Sequence, residues 1–328
     1  PQFAGDLGPS DQGIWVDGTS LAQDGVWEYA GIPYVLNGDV TVPEGVRLEI
    51  EAPSIVKGNS YFHSVFVHGV LRAYGAIGDS VVFTSIADDT GGDTNQDRDA
   101  LEPDAPAGGD WGGVRFHAGS EGDLQTVALR YGGGETSGLI MADPASTLTV
   151  RGGHLAHSQE DGIWMQSATP TVTACRFTGN AGADMRLLGS SYPDLSGDLG
   201  PESASIWINA TTLARSGVWD YGGIPYVLNG EVTVPSGVTL TVAPGVVVKG
   251  TSYFHSLSVA GTLAASGTVD SAIVFTSIHD DEVGGDTQHN DDATAPEGED
   301  WGGLRILAGG SATLAQAQLR YGGGETRG

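Results

Sequence analysis

Short runs of alternating apolar and polar residues recur along the chain and are separated by turn residues. Residues 238–242, Val-Thr-Leu-Thr-Val, alternate with a period of two, which is the pattern of a half-buried β-strand. Gly or Pro ends nearly every such run, as in Asn37-Gly38 and Pro244-Gly245. These turn signals lie too close together for helices of ordinary length. The pattern therefore predicts an all-β chain, with a short helix expected only at residues 18–25 and their copy at 210–217.

A long internal repeat organises these strands. The sequence Gly-Asp-Leu-Gly-Pro at residues 5–9 returns at residues 197–201, and 49 of the 85 positions from 5 to 89 are identical at this offset of 192. After small insertions and deletions in an acidic loop, the two copies resume together at an offset of 190. We therefore predict two tandem homologous units, residues 1–195 and residues 196–328, the second being a truncated copy of the first.

The spacing of the strands distinguishes a solenoid from a sandwich. Apolar runs at residues 232–234, 246–248, 257–259 and 273–276 follow one another about 10 to 15 residues apart, and no long return connection separates them. A sandwich would bring distant strands together, whereas a parallel solenoid places each coil on its predecessor. The order therefore predicts a chain that climbs about 4.8 Å with each coil.

Several of these strings resemble a known family of repeats. They are residues 232–245, 259–268 and 275–277, followed by an acidic loop and Asp-Trp-Gly-Gly at 300–303. Together they look like the right-handed parallel β-helix domains of bacterial extracellular and cell-surface proteins, and the likeness covers nearly all of both units. The resemblance implies an all-β, right-handed parallel β-helix (β-solenoid) in a secreted protein, located outside the cell or at its surface. It does not imply one activity, because this scaffold carries unrelated functions.

The charge balance narrows the range of partners. The chain has 41 acidic and 14 basic side chains and a formal net charge of −27. Such a surface repels nucleic-acid phosphates and anionic membranes, so we expect no nucleic-acid partner. No apolar run approaches the ~18 residues of a membrane span, so we expect no direct membrane insertion. The single cysteine, Cys175, lies in an alternating run and is expected to face inward as a small apolar residue.

The strongest chemical signal is an acidic loop that occurs in both copies, at residues 88–99 and 280–292. Oxygen-bearing side chains surround a Gly-Gly-Asp-Thr core, and calcium prefers several oxygen ligands on a flexible loop. The spacing resembles the start of an EF-hand, but Arg98 and Asp291 stand where its glycine belongs. The alternative is a solvated acidic loop on an acidic surface. The candidate Ca²⁺ ligands are Asp88, Asp89, Asp93, Asn95, Asp97 and Asp99 in the first copy and Asp280, Asp281, Asp286, Asn290 and Asp292 in the second.

Four aromatic residues beside glycines are candidate platforms for sugar rings, namely Trp111, Tyr131, Trp301 and Tyr321. The alternative is that each Trp-Gly-Gly string forms a tight corner with the indole buried. The eight histidines show no close metal-ligand spacing, so we expect surface or packing roles for them.

Catalysis is the least favoured function. Parallel β-helix lyases and hydrolases use carboxylates, a basic residue and often calcium, so charged residues near the Trp-Gly-Gly strings need consideration. These residues are Asp110, Arg115, Arg130 and Glu135 and their copies Asp300, Arg305, Arg320 and Glu325. Their repetition at identical register is more simply explained by Arg–Glu pairs that bridge adjacent coils. We therefore predict no catalytic residues and no enzyme activity, with a polysaccharide lyase or hydrolase as the weakest alternative.

The ends of a solenoid suggest what such a protein does. Each end exposes a row of unpaired backbone N–H and C=O groups that must be capped or covered. The second copy stops at the equivalent of Gly138, so we expect further sequence or another molecule to supply the next coils. We therefore predict an extracellular structural protein whose units associate end to end as a filament, sheath or surface-layer subunit. The alternative is a cell-surface adhesin or carbohydrate-binding module that binds extracellular glycans.

Overall fold

The computed structural model describes residues 12–28, 31–96, 105–197, 199–200, 204–288, 290 and 293–325. Throughout these residues the regular structure is β-strand, and no helix occurs. None of the described residues therefore belongs to a helix long and apolar enough to cross a membrane. The chain divides into two compact units, Pro1–Ala183 and Asp184–Gly328, a division that falls before the end of the first sequence repeat at residue 195.

The first unit consists of short strands joined by turns. Its strands are β1 (Ile14–Ser20), β2 (Gly25–Trp27), β3 (Tyr34–Val42), β4 (Arg47–Glu51), β5 (Ile55–Gly58), β6 (Ser64–Val67), β7 (Val70–Tyr74), β8 (Val81–Ser85), β9 (Gly113–Phe116), β10 (Glu121–Gln125), β11 (Val127–Arg130), β12 (Gly138–Ala142), β13 (Thr147–Arg151), β14 (His154–Ala156), β15 (Asp161–Gln166), β16 (Thr171–Thr173) and β17 (Arg176–Thr178).

Successive coils of the first unit build three stacks of parallel strands. The first stack runs β1, β3, β5, β8, β11, β14, β17, and the second runs β1, β3, β6, β9, β12, β15. The third stack runs β2, β4, β7, β10, β13, β16. The long strand β3 bends across a corner, since its first half pairs with β5 and its second half pairs with β6. This is a parallel β-solenoid, and the fold class predicted from the sequence is confirmed.

Rows of alternate residues from successive coils fill the interior of this unit. Ile50, Ala73, Leu124, Val150 and Val172 lie in register in the third stack, and each is at most 1 % exposed. Because side chains alternate between the faces of a strand, in-register pairing places inward residues above one another. Full burial of one Val, Leu or Ile side chain contributes about 1.5–3 kcal/mol, so these rows hold the coils together.

The second unit repeats this arrangement. Its strands are β18 (Met185–Leu188), β19 (Asp194–Ser196), β20 (Ile206–Thr212), β21 (Gly217–Trp219), β22 (Tyr226–Val234), β23 (Thr239–Val242), β24 (Val247–Gly250), β25 (Ser256–Val259), β26 (Thr262–Ser266), β27 (Ile273–Ser277), β28 (Gly303–Ile306), β29 (Ser311–Ala315) and β30 (Ala317–Leu319). Its stacks run β18, β20, β22, β24, β27, β30, then β20, β22, β25, β28, and then β21, β23, β26, β29.

The short helices expected at residues 18–25 and 210–217 do not form, and that prediction is wrong. In the first unit the segment comprises the end of β1, a turn and the start of β2, and β20 and β21 frame the copy. Thr19 pairs with Val40 of the next coil. The backbone groups of β1 are thus used between coils, which leaves none for a helical ladder.

Cys175 faces the interior, as its alternating sequence predicts. The side chain is 1 % exposed, and its thiol lies 3.5 Å from the carbonyl oxygen of Val150 on the preceding coil. Burial raises the pKa of this thiol, although hydrogen bonds from the backbone of Gly153 and neighbouring residues oppose the shift. The thiol is therefore held in its neutral form and packs as a small apolar group.

Candidate functional site

The first acidic loop is anchored at its start by an arginine. The Asp88 carboxylate lies 2.7 Å from Nε of Arg130 and accepts hydrogen bonds from the Thr84 hydroxyl at 2.5 Å and the Thr90 backbone N–H at 3.0 Å. Burial alone would raise the pKa of Asp88, but these hydrogen bonds and the arginine charge together lower it. Asp88 is therefore ionised and already engaged by groups of the protein.

The second acidic loop begins in a similar way. Asp280 accepts a hydrogen bond from the Thr276 hydroxyl at 2.6 Å and lies 3.5 Å from a guanidinium nitrogen of Arg320. Arg320 also donates to the side-chain oxygen of Gln318 at 2.6 Å. Both copies thus pair the first acidic residue of the loop with an arginine three strands later, and the pair is looser in the second copy.

A buried lysine lies under each acidic loop. Lys57 is fully buried, and its ammonium group donates to the Gly92 carbonyl at 2.6 Å and to the Thr94 hydroxyl at 2.9 Å. Lys249 is also fully buried and donates to the Gly285 carbonyl at 2.6 Å. These acceptors belong to the Gly-Gly-Asp-Thr core that the two loops share. Each lysine thus fixes the loop above its own strand.

Burial lowers the pKa of both lysines. Desolvation lowers the pKa of Lys57 to about 8, although the carboxylates of Asp88, Asp89 and Asp93 act in the opposite direction. Desolvation also lowers the pKa of Lys249, again opposed by the nearby acidic loop. The acidic loops therefore serve in part as counter-charges for a cation that the protein itself supplies.

Sequence reasoning missed both lysines. Lys57 and Lys249 are the only lysines of the chain, and they stand at the repeat offset of 192 inside otherwise apolar strands. The available signal was a lysine inside an apolar strand, found at the same position of both repeats. Lysine is almost never fully buried unless it is paired. This signal would have connected strands β5 and β24 to the acidic loops that follow them.

Calcium binding by these loops stays a prediction. Within the described residues, no group of three or more His, Cys, Asp or Glu side chains is placed to hold a metal ion. Asp88 and Asp280 are engaged as described above, and Asp89, Asp93, Asn95, Asp281, Asp286 and Asn290 lie on the same loops. Asp97, Asp99 and Asp292 lie outside the described residues. A calcium site in either loop would therefore need ligands from the residues that follow Asp88 and Asp280.

The two tryptophans predicted as sugar platforms lie in the core. Trp111 and Trp301 are each 1 % exposed, and their indole N–H groups donate to the carbonyls of Arg130 and Arg320, both at 2.9 Å. A Cβ at Gly58 would come within 2.2 Å of the Trp111 side chain, so the ring is covered closely from the adjacent strand. These indoles offer no face to a sugar. Both Trp-Gly-Gly strings form tight corners with the indole buried, which was the alternative expectation.

The two tyrosines are more accessible. Tyr131 stacks on His157, with ring centroids 5.2 Å apart and planes inclined by 8°, beside a shallow cleft of ≈ 420 Å³. Tyr321 lines another cleft, of ≈ 620 Å³, together with Asp280 and Asp281. The structure thus brings one predicted aromatic residue and the second acidic loop to the same cleft. Ligand binding by either tyrosine stays a prediction.

The charged residues weighed for catalysis make structural contacts. Arg115 forms an ion pair with Asp143 of the next coil at 3.0 Å. Asp110 accepts hydrogen bonds from the Ser85 hydroxyl at 2.6 Å and the Ala107 backbone N–H at 2.9 Å. In the second unit the Ser277 hydroxyl donates to Asp300 at 2.7 Å. Among the described members of this set, Arg305 and Glu325 form the expected Arg–Glu pair, at 3.6 Å. Arg115 and Arg130 pair with aspartates instead.

No family model, curated protein or solved structure matches this chain. The class of the protein therefore follows from its own geometry, which is that of a parallel β-solenoid built from a repeated unit. Its distinctive local features are an acidic loop over a buried lysine and a buried Trp-Gly-Gly corner, both of which occur in each unit.

Proposed function

We propose that this protein is an extracellular structural protein whose β-solenoid units stack head to tail, as in a filament, sheath or surface layer. The observation that carries the proposal is the apolar row on the last coil of the second unit, formed by strands β28, β29 and β30. Each of these strands pairs with one neighbour among the described residues, namely β25, β26 and β27. No strand of the described residues pairs with their other edge.

Three apolar side chains of this coil are about half exposed in the described part of the chain. Ile306, Leu314 and Leu319 are 47 %, 42 % and 49 % exposed. Their counterparts in the first unit at the offset of 190, which are all 0 % exposed, are Phe116, Leu124 and Leu129. Another coil covers those counterparts, because β12, β13 and β14 pair with β9, β10 and β11. A coil of that kind would cover Ile306, Leu314 and Leu319.

The second unit also shows how the start of a repeat accepts a preceding coil. Strand β18 pairs in register with β20, with Met185 opposite Ile206, and Ile206 is fully buried. In the first unit β1 pairs with β3 alone among the described residues, and Trp15 on β1 is 52 % exposed. The head of a unit can thus pair with a strand placed above it.

A second copy of this chain is the occupant that we propose for this edge of β28, β29 and β30. Covering three half-exposed aliphatic side chains would contribute about 1 kcal/mol each, and closing parallel backbone hydrogen bonds adds to this. Such a head-to-tail contact does not close on itself, so it extends into fibres. The net charge of −27 opposes association, and salt would screen that repulsion. Assembly should therefore strengthen with ionic strength.

The test compares an edge variant with a matched surface variant. Wild-type protein, Leu314→Lys/Leu319→Lys and Val269→Lys are examined by sedimentation velocity and negative-stain electron microscopy at increasing concentration and salt. Val269 is 84 % exposed on a turn of the same unit, so its replacement adds charge without touching the last coil. Wild type and Val269→Lys should form linear assemblies, and the edge variant should stay monomeric. A monomeric wild type at every concentration, or an edge variant that assembles equally well, contradicts the proposal.

A further inference from the structure

Two pairs of large aromatic side chains lie on the surface, one pair in each unit. Tyr61 and Phe62 are 43 % and 65 % exposed, and Tyr253 and Phe254 are 40 % and 65 % exposed. The rings of each pair have centroids 5.0 Å apart and planes inclined by 73° in both units. The same exposed geometry therefore occurs twice, at positions that contribute nothing to the core rows.

A tight turn presents each pair to solvent. The backbone N–H of His63 donates to the Ser60 carbonyl at 2.9 Å, and the corresponding bond in the second unit is 2.8 Å long. Tyr61 and Phe62 therefore occupy the two central positions of a four-residue turn. These positions usually hold Gly, Pro, Asn, Asp or Ser, because those residues satisfy turn geometry and solvation. Two adjacent aromatic residues at this place are not explained by the turn.

The next coil holds each turn in position. The Glu135 backbone N–H donates to the Tyr61 carbonyl at 3.0 Å, and the Glu325 N–H donates to the Tyr253 carbonyl at 3.2 Å. These bonds link the turn to the Gly-Gly-Gly-Glu-Thr segment that follows each buried Trp corner. Backbone hydrogen bonds between coils, rather than the aromatic side chains, thus hold each turn in place.

Glycine is required where the next coil passes the tyrosine. A Cβ at Gly134 would lie 2.6 Å from the Tyr61 carbonyl oxygen and 2.9 Å from a ring carbon. A Cβ at Gly324 would lie at the same distances from the corresponding atoms of Tyr253. The backbone of the neighbouring coil therefore fits closely against one side of each tyrosine, which restricts the ring. A restricted ring loses little conformational entropy when a ligand binds to it.

We propose that these two aromatic turns are binding sites for a neutral polysaccharide. The exposed Phe62 and Tyr61 rings would take the apolar face of a pyranose ring. A hydrogen-bond acceptor for sugar hydroxyls lies beside the first turn, because Glu135 is exposed and its carboxylate accepts from the buried Ser64 hydroxyl at 3.4 Å. Asp39 accepts from the Ser64 backbone N–H at 3.1 Å and adds a second carboxylate.

The charge of the protein selects the ligand class. With a net charge of −27, the surface repels polyanionic glycans, whereas a neutral glycan meets no such repulsion. A cationic ligand would depend on the carboxylates instead, and the two units differ there. In the second unit Arg305 lies 3.6 Å from Glu325, whereas in the first unit Arg115 pairs with Asp143. A cation would therefore prefer the first site, and a neutral sugar would not.

Affinity electrophoresis tests this proposal on the whole chain. Native gels contain hydroxyethyl cellulose, glucomannan or galactomannan, with alginate as the anionic control. The variants are Phe62→Ala/Phe254→Ala and the matched control Ile77→Ala/Val269→Ala, which removes apolar side chains that are 99 % and 84 % exposed. At least one neutral polysaccharide should retard the wild type and the control, and alginate should retard neither. The aromatic variant should bind roughly tenfold more weakly.

Three results would overturn the proposal. They are the absence of retardation by all three neutral polysaccharides, equal retardation of the aromatic variant, and retardation that disappears in moderate salt as expected for a cation site. The melting temperature of the aromatic variant should match that of the wild type, because the rings lie outside the core. Retention in the gel does not require end-to-end assembly, so this result and the test of head-to-tail stacking can fail separately.

Discussion

Equivalent coils of the two units differ in whether another described coil covers them. In the first unit the coil of β9, β10 and β11 is covered by β12, β13 and β14, and its apolar side chains are fully buried. In the second unit the coil of β28, β29 and β30 has the same strand pattern, and its apolar side chains are about half exposed. In a solenoid, therefore, a residue belongs to the core only when a following coil is present.

The arginines of the two coils show the same dependence. Arg115 reaches forward to Asp143 of the covering coil. Arg305 has no counterpart of that aspartate among the described residues and lies near Glu325 and Glu231 instead. The residue type is unchanged, but the partner changes with the neighbouring coil. The coil edge of the second unit is thus less tightly paired as well as less buried.

The largest effect should come from truncating equivalent leucines in the two coils. Leu124→Ala removes a fully buried side chain and should lower the free energy of unfolding by about 2–5 kcal/mol. Leu314→Ala removes a side chain that is already half exposed and should cost less than about 1 kcal/mol. Urea denaturation at low protein concentration measures both. Equal losses would show that the last coil is covered in solution.

The next comparison concerns the two buried lysines. Lys57 binds both Gly92 and Thr94, whereas the Thr287 hydroxyl, the counterpart of Thr94, has no hydrogen-bond partner among the described residues. Lys57→Met should therefore lower the free energy of unfolding by about 1–3 kcal/mol, because two acceptors lose their donor. Lys249→Met should cost less.

Hydrogen exchange of the loop amides gives a local measure of the same difference. Residues 88–96 should exchange faster in Lys57→Met, and residues 280–288 should exchange faster in Lys249→Met. A larger loss of stability in Lys249→Met than in Lys57→Met would contradict the assignment of these contacts.

A smaller effect should appear in the pH dependence of stability. The folded pKa of Lys57 is about 8, below the ordinary value of 10.5, so the unfolded state binds more protons between these values. The contribution of this lysine to the free energy of unfolding therefore rises with pH in that window. From about pH 8 to about pH 9, the stability of wild type relative to Lys57→Met should increase by about 1 kcal/mol. A constant or decreasing difference in denaturation experiments would contradict the lowered pKa.

The smallest expected effect concerns calcium. If the acidic loops bind Ca²⁺, a chelator should lower the melting temperature by a few degrees, because the ion binds only the folded loop. Asp93→Asn and Asp286→Asn should each reduce that shift, and Asp270→Asn, at an exposed site outside the loops, should not. A melting temperature that is unaffected by chelator would contradict calcium binding by the loops. The buried lysines would then be the cations that the loops enclose.

The fold could be predicted from the sequence because its determinants are local and repeated. Alternation in residues 238–242 places every second side chain on one face, and the repeat at an offset of 192 excludes most other β architectures. The helix expected at residues 18–25 failed for a tertiary reason, since Thr19 pairs with the following coil. Local turn signals cannot report hydrogen bonds to a neighbouring coil.

The candidate site was less predictable because burial is set by contacts between coils. Trp111 has a sequence environment that suits an exposed platform as well as a corner, and only the position of β5 and Gly58 shows that the ring is covered. Conversely, Phe62 lies beside a strand and resembles a core residue, yet a turn directs it outward. Lys57 gave a usable signal, but its partners lie more than thirty residues later in a loop.

Cryo-electron microscopy of the concentrated protein in moderate salt would show whether copies of the chain stack head to tail. Linear particles are expected, in which the strand spacing of about 4.8 Å continues across each junction between chains, with β28, β29 and β30 of one copy against β1 and β2 of the next. Particles of one fixed length at all concentrations, or chains joined side by side with the last coil left open, would contradict head-to-tail stacking.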